Sequence, residues 1–502
     1  MYPFLLAAYP SLALLSSNFS QVNFSAVIRP LIVSCLTAGV LFWFFWLIHR
    51  DTHRAAFIVA AWLLLFFSYG QVLDVISQKW NIPHFSVWVL AIWFLLAELA
   101  LFLGSVRTLY AAAIAPALNI VSLGLVFYPL ILVAAWSSAK PVQSSSEIAE
   151  TEDGFSIPAG ETPPDIYYIM PEDYGRVDQL QRWAGINTAP FQQFLKDKGF
   201  YVADCSQSNY VTSELSLGST FNMDYLQNLG SGFRADNQDH NILYNLIRYN
   251  TIETDLKQLG YKTVAFATGF SWSELTNSDV YIAQSPYWFS LTSFENQLLL
   301  TTPLRHLEEM GVINPLGIAA NRFRERTSLV YNSVSSLVSM SGPKFVFMHI
   351  INPHPPFVFA ADGSSIDATS LMDKNGYYSK ENFLQGYRDQ IPYTDLELEK
   401  TISTLISQST RPLVIILQTD TGPLFTNGPD QFTILNAYYM PGHSSQLYPG
   451  ISPVNTFRVL LNAYFGGHIP LLNDQSYYSK NPDLYNFSPV PNLCSENSAI
   501  AK

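Results

Sequence analysis

The sequence predicts an α-helical membrane domain followed by an α/β domain whose mostly parallel sheet is covered by helices. Three observations predict it: long apolar segments are confined to the first 136 residues, a stretch rich in Ser, Glu, Pro and Gly follows, and apolar strand-like runs then alternate with helical patterns. We therefore expect a transmembrane domain over residues 1–136, a flexible linker over 137–164, an α/β domain over 165–490 and a C-terminal tail over 491–502.

Five apolar segments predict about five membrane spans. Four of them are long enough to cross a bilayer, since about 20 apolar residues span its hydrocarbon core. The first is shorter, and we expect an uncleaved span there because it lacks a basic region and a convincing cleavage site. A re-entrant piece or a signal peptide are the alternatives for it. The segments are Tyr2–Leu15, Leu31–Ile48, Ala55–Leu73, Phe85–Leu103 and Ala111–Ala135.

The short loops between these segments predict the orientation of the chain. Residues 49–54 form one basic loop, and Arg107 lies in another. Positively charged loops stay on the cytoplasmic side of a membrane. With five spans, both loops lie in the cytoplasm, and the large C-terminal part lies outside it. We therefore expect a multi-pass protein in contact with the lipid bilayer, with its C-terminal domain extracytoplasmic.

Charge is distributed unevenly along the chain. The first 136 residues contain five Lys or Arg and three Asp or Glu, and the remainder contains 22 and 36. An acidic soluble part argues against nucleic acid as the partner. It suits a ligand held through a metal, although acidic surfaces also serve solubility. Cys205 and Cys494 both fall in this part and could pair as a disulfide if it lies outside the cytoplasm.

From Asp165 onward, apolar strands alternate with helices, which implies a sheet covered on both faces. In such sheets, ligands bind at the edge formed by the carboxyl ends of the strands. The predicted strands are Ile166–Met170, Tyr201–Ala203, Lys262–Thr268, Lys344–Ile351 and Pro412–Gln418, and the predicted helices are Ala189–Lys198, Ile242–Leu259, Tyr387–Gln408 and Val454–Phe465.

Acidic residues follow two of these strands and are candidates for a binding site. Asp420 comes after the strand Pro412–Gln418 and precedes a glycine turn, and Glu172 and Asp173 follow the first strand. Carboxylates at this edge are suitable ligands for a hard cation. The alternatives are a turn Asp that bonds its own backbone and acidic residues favoured at a helix start by the dipole.

A hydroxyl and an imidazole complete the set of candidates. Ser213 lies at a predicted helix start, where a hydroxyl is either an N-cap or a nucleophile beside N–H groups that stabilise an anion. His354 lies between two prolines just after a buried strand. It can bind an anionic substrate oxygen or protonate a leaving group, or it is an ordinary surface histidine.

Six stretches of the chain together carry a family resemblance: residues 165–169, Tyr174-Gly175-Arg176, residues 213–217 with Asn222-Met223, residues 353–357, Gln418-Thr419-Asp420 and residues 451–458. They resemble a bacterial family of membrane proteins with an extracytoplasmic sulfatase-type domain of the alkaline phosphatase superfamily. The chain is more distantly similar to lipoteichoic acid synthases and phosphoethanolamine transferases. The resemblance covers almost the whole chain, and it implies a protein of the bacterial cytoplasmic (inner) membrane that acts in the cell envelope.

The resemblance implies one divalent metal ion (Mn, Mg, Ca or Zn) and a covalent mechanism. Glu172 and Asp420 match metal ligands of the family. Ser213 matches the metal-bound hydroxyl that attacks phosphorus or sulfur, and His354 matches a residue close to the substrate. A metal lowers the pKa of such a hydroxyl and neutralises charge on the transferring group, which then passes to water or to an acceptor alcohol.

The chain departs from the family pattern in three places. The usual Asp-Gly after the first strand is Glu172-Asp173, so Asp173 is an alternative ligand. At the position where the family usually has a Thr nucleophile, this chain has Ser213, and Thr212 is the residue next to it. The usual Asp-His-Gly is Asp420-Thr421-Gly422, and a neutral hydroxyl such as that of Thr421 is a much poorer ligand for a transition metal than an imidazole. The site could bind metal weakly, prefer a hard cation or borrow another ligand.

Two classes of function therefore remain open. The first is a membrane-anchored, metal-dependent hydrolase or transferase acting on phosphate or sulfate esters, lipid- or glycan-linked ones included. The second is a catalytically degenerate pseudoenzyme that serves as a binding or assembly module of the cell envelope. His443 is a candidate substitute ligand, and Arg176 is a further candidate site residue. Residues 205–209 do not match the Cys/Ser-X-Pro-X-Arg motif of formylglycine sulfatases, which favours phosphoryl chemistry.

Overall fold

The computed structural model describes residues 1–18, 22, 24–79, 85–106, 108–137, 154–284, 291–310, 312, 314–373, 376–480, 483–492 and 494. The chain divides into two compact units. The membrane unit comprises Met1–Lys140 and Tyr287–Ala319, and the α/β unit comprises Pro141–Pro286 and Ala320–Lys502. The segment Tyr287–Ala319, which the sequence analysis placed inside the α/β domain, thus belongs to the membrane unit. Arg107 and residues 138–153 of the predicted linker lie outside the described residues.

The membrane unit begins with five helices: α1 (Tyr2–Ser17), α2 (Ser25–His49), α3 (Thr52–Lys79), α4 (Phe85–Val106) and α5 (Thr108–Ser137). In the part of the chain that the structure describes, four stretches are long and apolar enough to cross a membrane: Ser25–His49, Thr52–Ser77, Val87–Ser105 and Ala111–Ala135. They match the four longer predicted segments. Helix α1 has 16 residues, or about 24 Å against a hydrocarbon core of about 30 Å. That it crosses the membrane stays a prediction.

The chain then continues through β1 (Asp165–Pro171), α6 (Val177–Ala184), α7 (Ala189–Asp197), β2 (Tyr201–Val202), α8 (Ser213–Asn222), α9 (His240–Arg248), α10 (Thr251–Gln258), β3 (Lys262–Phe266), β4 (Val280–Ile282), α11 (Ser293–Leu300), α12 (Arg305–Glu309), α13 (Pro315–Asn332), α14 (Val334–Val338), β5 (Lys344–Ile350), α15 (Lys380–Gln408), β6 (Leu413–Gln418), β7 (Asn436–Tyr439), α16 (Pro453–Tyr464), β8 (Ser476–Lys480) and β9 (Asp483–Val490). Helices α11 and α12 lie in the membrane unit.

Within the described residues, seven strands form the main sheet of the α/β unit, in the order β2-β7-β6-β1-β5-β3-β4. Strand β1 lies at the centre and pairs in parallel with β5 and β6. Strand β3 is parallel to β5 and β4, whereas β7 is antiparallel to β6, and β2 to β7. The prediction of a mostly parallel sheet is confirmed. The carboxyl ends of β1, β5 and β6 meet at one edge, and β7 runs the opposite way.

Strand β1 is buried throughout, and its side chains alternate between two cores. Ile166 and Tyr168 pack in one core with residues of α8 and α16. Tyr167 and Ile169 pack in the other with residues of α13 and α15. Helices on both faces explain why this strand is an almost continuous apolar run in the sequence.

A buried ion pair fixes the start of β1. The Lys344 ammonium, at the start of β5, donates a 2.5 Å hydrogen bond to the Asp165 carboxylate, and both side chains are almost inaccessible to solvent. The Arg411 guanidinium lies 3.4 Å from the other oxygen of the same carboxylate. Because a buried charge is costly without a partner, these contacts specify which residues of β1 and β5 begin the ladder.

Two helix boundaries differ from those predicted. The helix expected over Ile242–Leu259 is divided into α9 and α10, because the Asn250 side chain donates to the Ile247 carbonyl and accepts a 2.8 Å bond from the Glu253 N–H. Such local bonds of Asn compete with the helical ladder and cap a new helix. Helix α15 begins seven residues earlier than predicted, where Ser379 accepts from the Asn382 N–H.

Both ends of the α/β unit are tied down more than the sequence predicted. Phe155 and Ile157 of the expected linker pack against the core, and the Ser156 N–H donates to the Phe465 carbonyl at 3.1 Å. Flexibility therefore does not extend through residue 164. Of the tail 491–502, the structure describes residues 491, 492 and 494, and Cys494 is disulfide-bonded to Cys205 with their Cα atoms 5.5 Å apart.

The buried carboxylate of Glu253 makes the stability of the fold depend on pH. One oxygen accepts a 3.1 Å bond from the Ser278 hydroxyl, and the other has no hydrogen-bond partner among the described residues. Burial raises the pKa of Glu253 to about 7, although the nearby Lys257 ammonium opposes this. Because the folded chain then holds a proton that the unfolded chain releases, stability is lost as the pH rises from the unfolded pKa of 4.5 to about 7.

We predict that Glu253→Gln removes this loss, since glutamine keeps the acceptor oxygen and carries no charge. The variant should gain roughly 3 kcal/mol over the wild type at a pH above 7 and little below pH 5. Chemical unfolding of the detergent-solubilised chain, followed by tryptophan fluorescence, measures it. The exposed carboxylate variant Glu381→Gln is the control and should show no such trend. A difference between Glu253→Gln and wild type that is the same at every pH would contradict the prediction.

Candidate functional site

The site lies at the edge where β1, β5 and β6 end. Glu172 directly follows β1, and its N–H donates to the Ile350 carbonyl of β5 at 2.8 Å. Its side chain is 4% exposed. One carboxylate oxygen accepts a 3.2 Å hydrogen bond from the Ser213 hydroxyl, and the other lies 3.0 Å from Nε2 of His349. The structure thus brings Glu172 and Ser213 into contact.

Asp173 has a different role from its neighbour. Its φ of 65° lies in the left-handed region, which Asp tolerates better than most residues. Its carboxylate accepts a 2.6 Å bond from the Leu424 N–H, and its carbonyl accepts from the Tyr387 hydroxyl. Burial raises the pKa of Asp173 well above its usual range. Asp173 therefore anchors the loop after β6, and Glu172 is the carboxylate that contacts Ser213.

Ser213 is the first residue of α8, and the extended residue before it, Thr212, makes no side-chain cap bond. The N–H groups of the first turn of a helix have no intrahelical acceptor, and the dipole gives this end partial positive charge. Of the two adjacent hydroxyls, that of Ser213 is in hydrogen-bond contact with Glu172. An oxygen in this position can attack an electrophile whose negative charge the same helix end stabilises.

Asp420 follows β6 and is 2% exposed, and neither of its carboxylate oxygens has a hydrogen-bond partner among the described residues. Burial and the charge of Glu172 raise the pKa of Asp420 to about 7, which the nearby Ser213 hydroxyl and His349 oppose only in part. A buried carboxylate without donors is costly unless a proton or a cation neutralises it. Asp420 is therefore a suitable place for a cation.

The turn that holds Asp420 requires glycine at one position. The Gly422 N–H donates to the Gln431 carbonyl at 2.7 Å, and a Cβ on Gly422 would lie 2.5 Å from that oxygen. Thr421, between Asp420 and this glycine, is buried. The close approach of Gly422 to the Gln431 carbonyl fixes the backbone of the turn, and therefore the position of Asp420 at the end of β6.

His349 is the functional candidate that the sequence analysis missed. It is the penultimate residue of β5 and is 2% exposed. Its Nδ1 lies 3.1 Å from the Ser273 hydroxyl. Burial tends to raise the pKa of Glu172, but the charge of His354 and the hydrogen bonds from His349 and Ser213 hold it below its usual range. A single histidine in the apolar run Lys344–Ile351, near the carboxyl end of the strand, was the signal that could have found it.

His354 lies beside an aromatic wall formed by two residues that follow β3. Its ring is 5.9 Å from that of Phe270, and the ring of Trp272 is 5.4 Å from that of His349. His354 is half-buried, its Nδ1 is 2.6 Å from the Pro355 carbonyl, and its charge acts on Glu172. The His354 imidazole is close enough for its charge to act on Glu172, and its solvent-exposed face can contact a substrate. The sequence analysis did not single out Phe270 or Trp272.

Arg176 and His443 make their described contacts with residues other than Glu172, Ser213 and Asp420. The Arg176 guanidinium donates two bonds to Asp178, at 2.7 and 2.9 Å, and one to the Ser206 carbonyl. His443 follows β7, which is antiparallel to β6, so its loop lies at the opposite edge of the sheet. There its ring packs 4.4 Å from that of Tyr464. His443 therefore cannot serve as a substitute ligand beside Asp420.

The donor atoms at the edge limit which metal ion they fit. Across the described residues, no three His, Cys, Asp or Glu side chains are arranged to hold one metal ion. Glu172, Asp420 and Ser213 offer only oxygen atoms, and the His349 imidazole beside them is engaged with Glu172. Oxygen ligands, including the two on Asp420 that have no hydrogen-bond partner among the described residues, fit a hard cation such as Mg²⁺ or Ca²⁺ better than Zn²⁺.

No protein-family model and no curated protein matches the chain. Among solved structures, it is similar to the periplasmic domain of EptC from Escherichia coli in complex with zinc (12% identity, 67% of this chain and 94% of that one, TM-score 0.43). It is also similar to phosphoethanolamine transferase EptA from Neisseria meningitidis (12% identity, 96% and 97%, TM-score 0.39). A third is a glycosaminoglycan-metabolism protein of Bacteroides thetaiotaomicron (13% identity, 65% and 84%, TM-score 0.37). Phosphoethanolamine transferases are among the proteins that the sequence motifs resemble.

Proposed function

We propose that this chain is a membrane-anchored hydrolase or transferase that acts on phosphate or sulfate esters outside the cytoplasm through Ser213. One observation carries the proposal. The Ser213 hydroxyl, at the start of α8, donates to Glu172 at the sheet edge where, among the described residues, the two buried Asp420 oxygens have no hydrogen-bond partner. The disulfide between Cys205 and Cys494 supports the location, because such bonds persist in oxidising compartments.

In the proposed reaction, the Ser213 oxygen attacks the phosphorus or sulfur of the ester, and its proton passes to Glu172, with which it already shares a hydrogen bond. The bond to the ester oxygen breaks, and the leaving alcohol takes a proton from His354. The N–H groups at the start of α8 stabilise the anionic oxygens of the transferring group. Water or an acceptor alcohol then attacks the transferred group, its proton passes to His354, and the released Ser213 oxygen takes back its proton from Glu172.

Glu172, Asp420 and Ser213 are the residues that would hold a divalent cation. Such a cation lowers the pKa of the hydroxyl and neutralises charge on the transferring group. The two carboxylates alone would repel an anionic ester, since both are buried and lie close enough for the charge of Glu172 to raise the pKa of Asp420. Binding of substrate is therefore expected to require the cation.

A second function, a binding module without turnover, is favoured by the contact between His349 and Glu172. The 3.0 Å approach of the His349 Nε2 occupies one oxygen of Glu172, and Thr421 supplies a hydroxyl where the related family has imidazole. In this alternative the edge binds a lipid- or glycan-linked ester and releases it unchanged.

We predict that Ser213→Ala lowers kcat by roughly 10³-fold or more, because the nucleophile is lost, and changes KM much less. Thr212→Ala, which removes the neighbouring hydroxyl, is the matched control and should keep most of the activity. Turnover of aryl phosphates and aryl sulfates by the full chain, with Mg²⁺, Mn²⁺ or Ca²⁺, measures both. Activity that survives Ser213→Ala and is lost in Thr212→Ala would move the nucleophile to Thr212. Ester binding without turnover in the wild type would support the binding module instead.

We predict that Thr421→His raises affinity for Mn²⁺ and Zn²⁺ by about tenfold or more, because it adds an imidazole beside Asp420. Titration calorimetry of the purified chain measures it. Thr410→His places the same side chain at an exposed position after α15 and controls for non-specific binding. Equal affinities in the two variants would show that Glu172 and Asp420 do not converge on one ion.

A further inference from the structure

A large apolar cavity lies within the membrane unit. Its volume is about 1370 Å³, and its walls are formed by α2, α3, α4 and residues 291–304. Along α2 the lining extends from Arg29 to Leu41, which is about 18 Å at 1.5 Å per residue. This is close to the depth of one leaflet, since the hydrocarbon core of a bilayer is about 30 Å thick.

An ion pair holds the wall that contains α11. The Arg29 guanidinium of α2 donates to both carboxylate oxygens of Glu295. The same carboxylate accepts a 2.9 Å bond from the Thr292 N–H and closes a capping box at the start of α11. The two opposite charges at this end of the cavity therefore compensate each other, and the rest of the lining is almost entirely apolar.

Further contacts hold the following residues against α3. The Gly70 N–H donates to the Thr301 carbonyl at 2.8 Å, and a Cβ on Gly70 would lie 2.1 Å from the Leu300 oxygen, so glycine is required there. The Arg305 guanidinium donates a 2.9 Å hydrogen bond to the Asp74 carboxylate, and the Tyr69 hydroxyl is hydrogen-bonded to the His306 imidazole. Residues 291–306 are thus a fixed wall of the cavity.

We propose that this cavity is a binding site for the acyl chains of a bilayer phospholipid. Three of its walls are candidate membrane spans, so hydrocarbon chains are the molecules that surround it. The cavity is not closed off, since lining side chains such as Val33, Phe94 and Leu95 are more than half exposed, and apolar surface of this kind is more stable against hydrocarbon than against water. The volume exceeds the 300 to 1,000 Å³ typical of small-molecule sites. The site is independent of the proposed function, because every lining residue belongs to the membrane unit.

The test places the full chain in phosphatidylcholine vesicles that contain a phosphatidylcholine with a photoactivatable group on one acyl chain. Labelled residues are mapped by mass spectrometry. Ala91 of α4 lines the cavity, whereas the next residue, Ile92, is 52% exposed and does not line it. Ala91→Trp fills the cavity, and Ile92→Trp adds the same bulk outside it.

The expected result is labelling concentrated on the lining residues, with a several-fold loss in Ala91→Trp and no loss in Ile92→Trp. If Ala91→Trp does not fold, Ser34→Leu, a smaller change on another wall of the cavity, replaces it. Labelling spread evenly over the outer faces of the spans, or an equal effect of Ala91→Trp and Ile92→Trp, would overturn the proposal. If a variant loses lipid labelling but keeps ester turnover, or keeps labelling but loses turnover, the lipid site and the proposed function are distinguished from each other.

Discussion

The position of β1 between two parallel strands is the constraint on which the site depends. Its start is fixed by the buried contact between Asp165 and Lys344, and its end by the bond from the Glu172 N–H to Ile350. Because β5 and β6 run in the same direction, His349 and Asp420 arrive at the same edge as Glu172. The sheet therefore determines which side chains can meet before any of them does chemistry.

The chemistry of this edge follows from two carboxylates that share a buried space. Each carboxylate would be costly to bury as an isolated charge, and the cost is reduced in a different way for each of them. Glu172 has donors, from Ser213 and His349, which keep its pKa low. Asp420 has none among the described residues, and its pKa is raised to about 7. This asymmetry makes Asp420 the carboxylate that a bound cation would stabilise most.

Much of the fold and part of the site could be predicted from the sequence, because strand periodicity and the strand-then-acid pattern are local signals. The strand-then-acid pattern predicted Glu172 and Asp420 as candidates, and a hydroxyl at a helix start predicted Ser213. His349 was hidden, because a buried histidine in an apolar strand shows its role only when its partner on another strand is known. The antiparallel direction of β7, which takes His443 to the opposite edge, also depends on pairing that no local pattern reveals.

Long-range contacts explain the remaining differences. Residues 291–310 belong to the membrane unit because Glu295 pairs with Arg29, and these residues are 266 positions apart in the chain. The left-handed backbone of Asp173 and the division of the helix at Asn250 are local, but each is decided by a side-chain bond that periodicity does not register.

In the proposed reaction, Ser213 forms a covalent bond to the transferred group. Rapid acid quenching of the full chain during turnover of a phosphate or sulfate ester, followed by peptide mass spectrometry, detects such a bond. We expect a phosphoryl or sulfuryl group on the peptide that contains Ser213, and none on that peptide in Ser213→Ala. Turnover with the adduct on a different residue of the wild-type chain would contradict it.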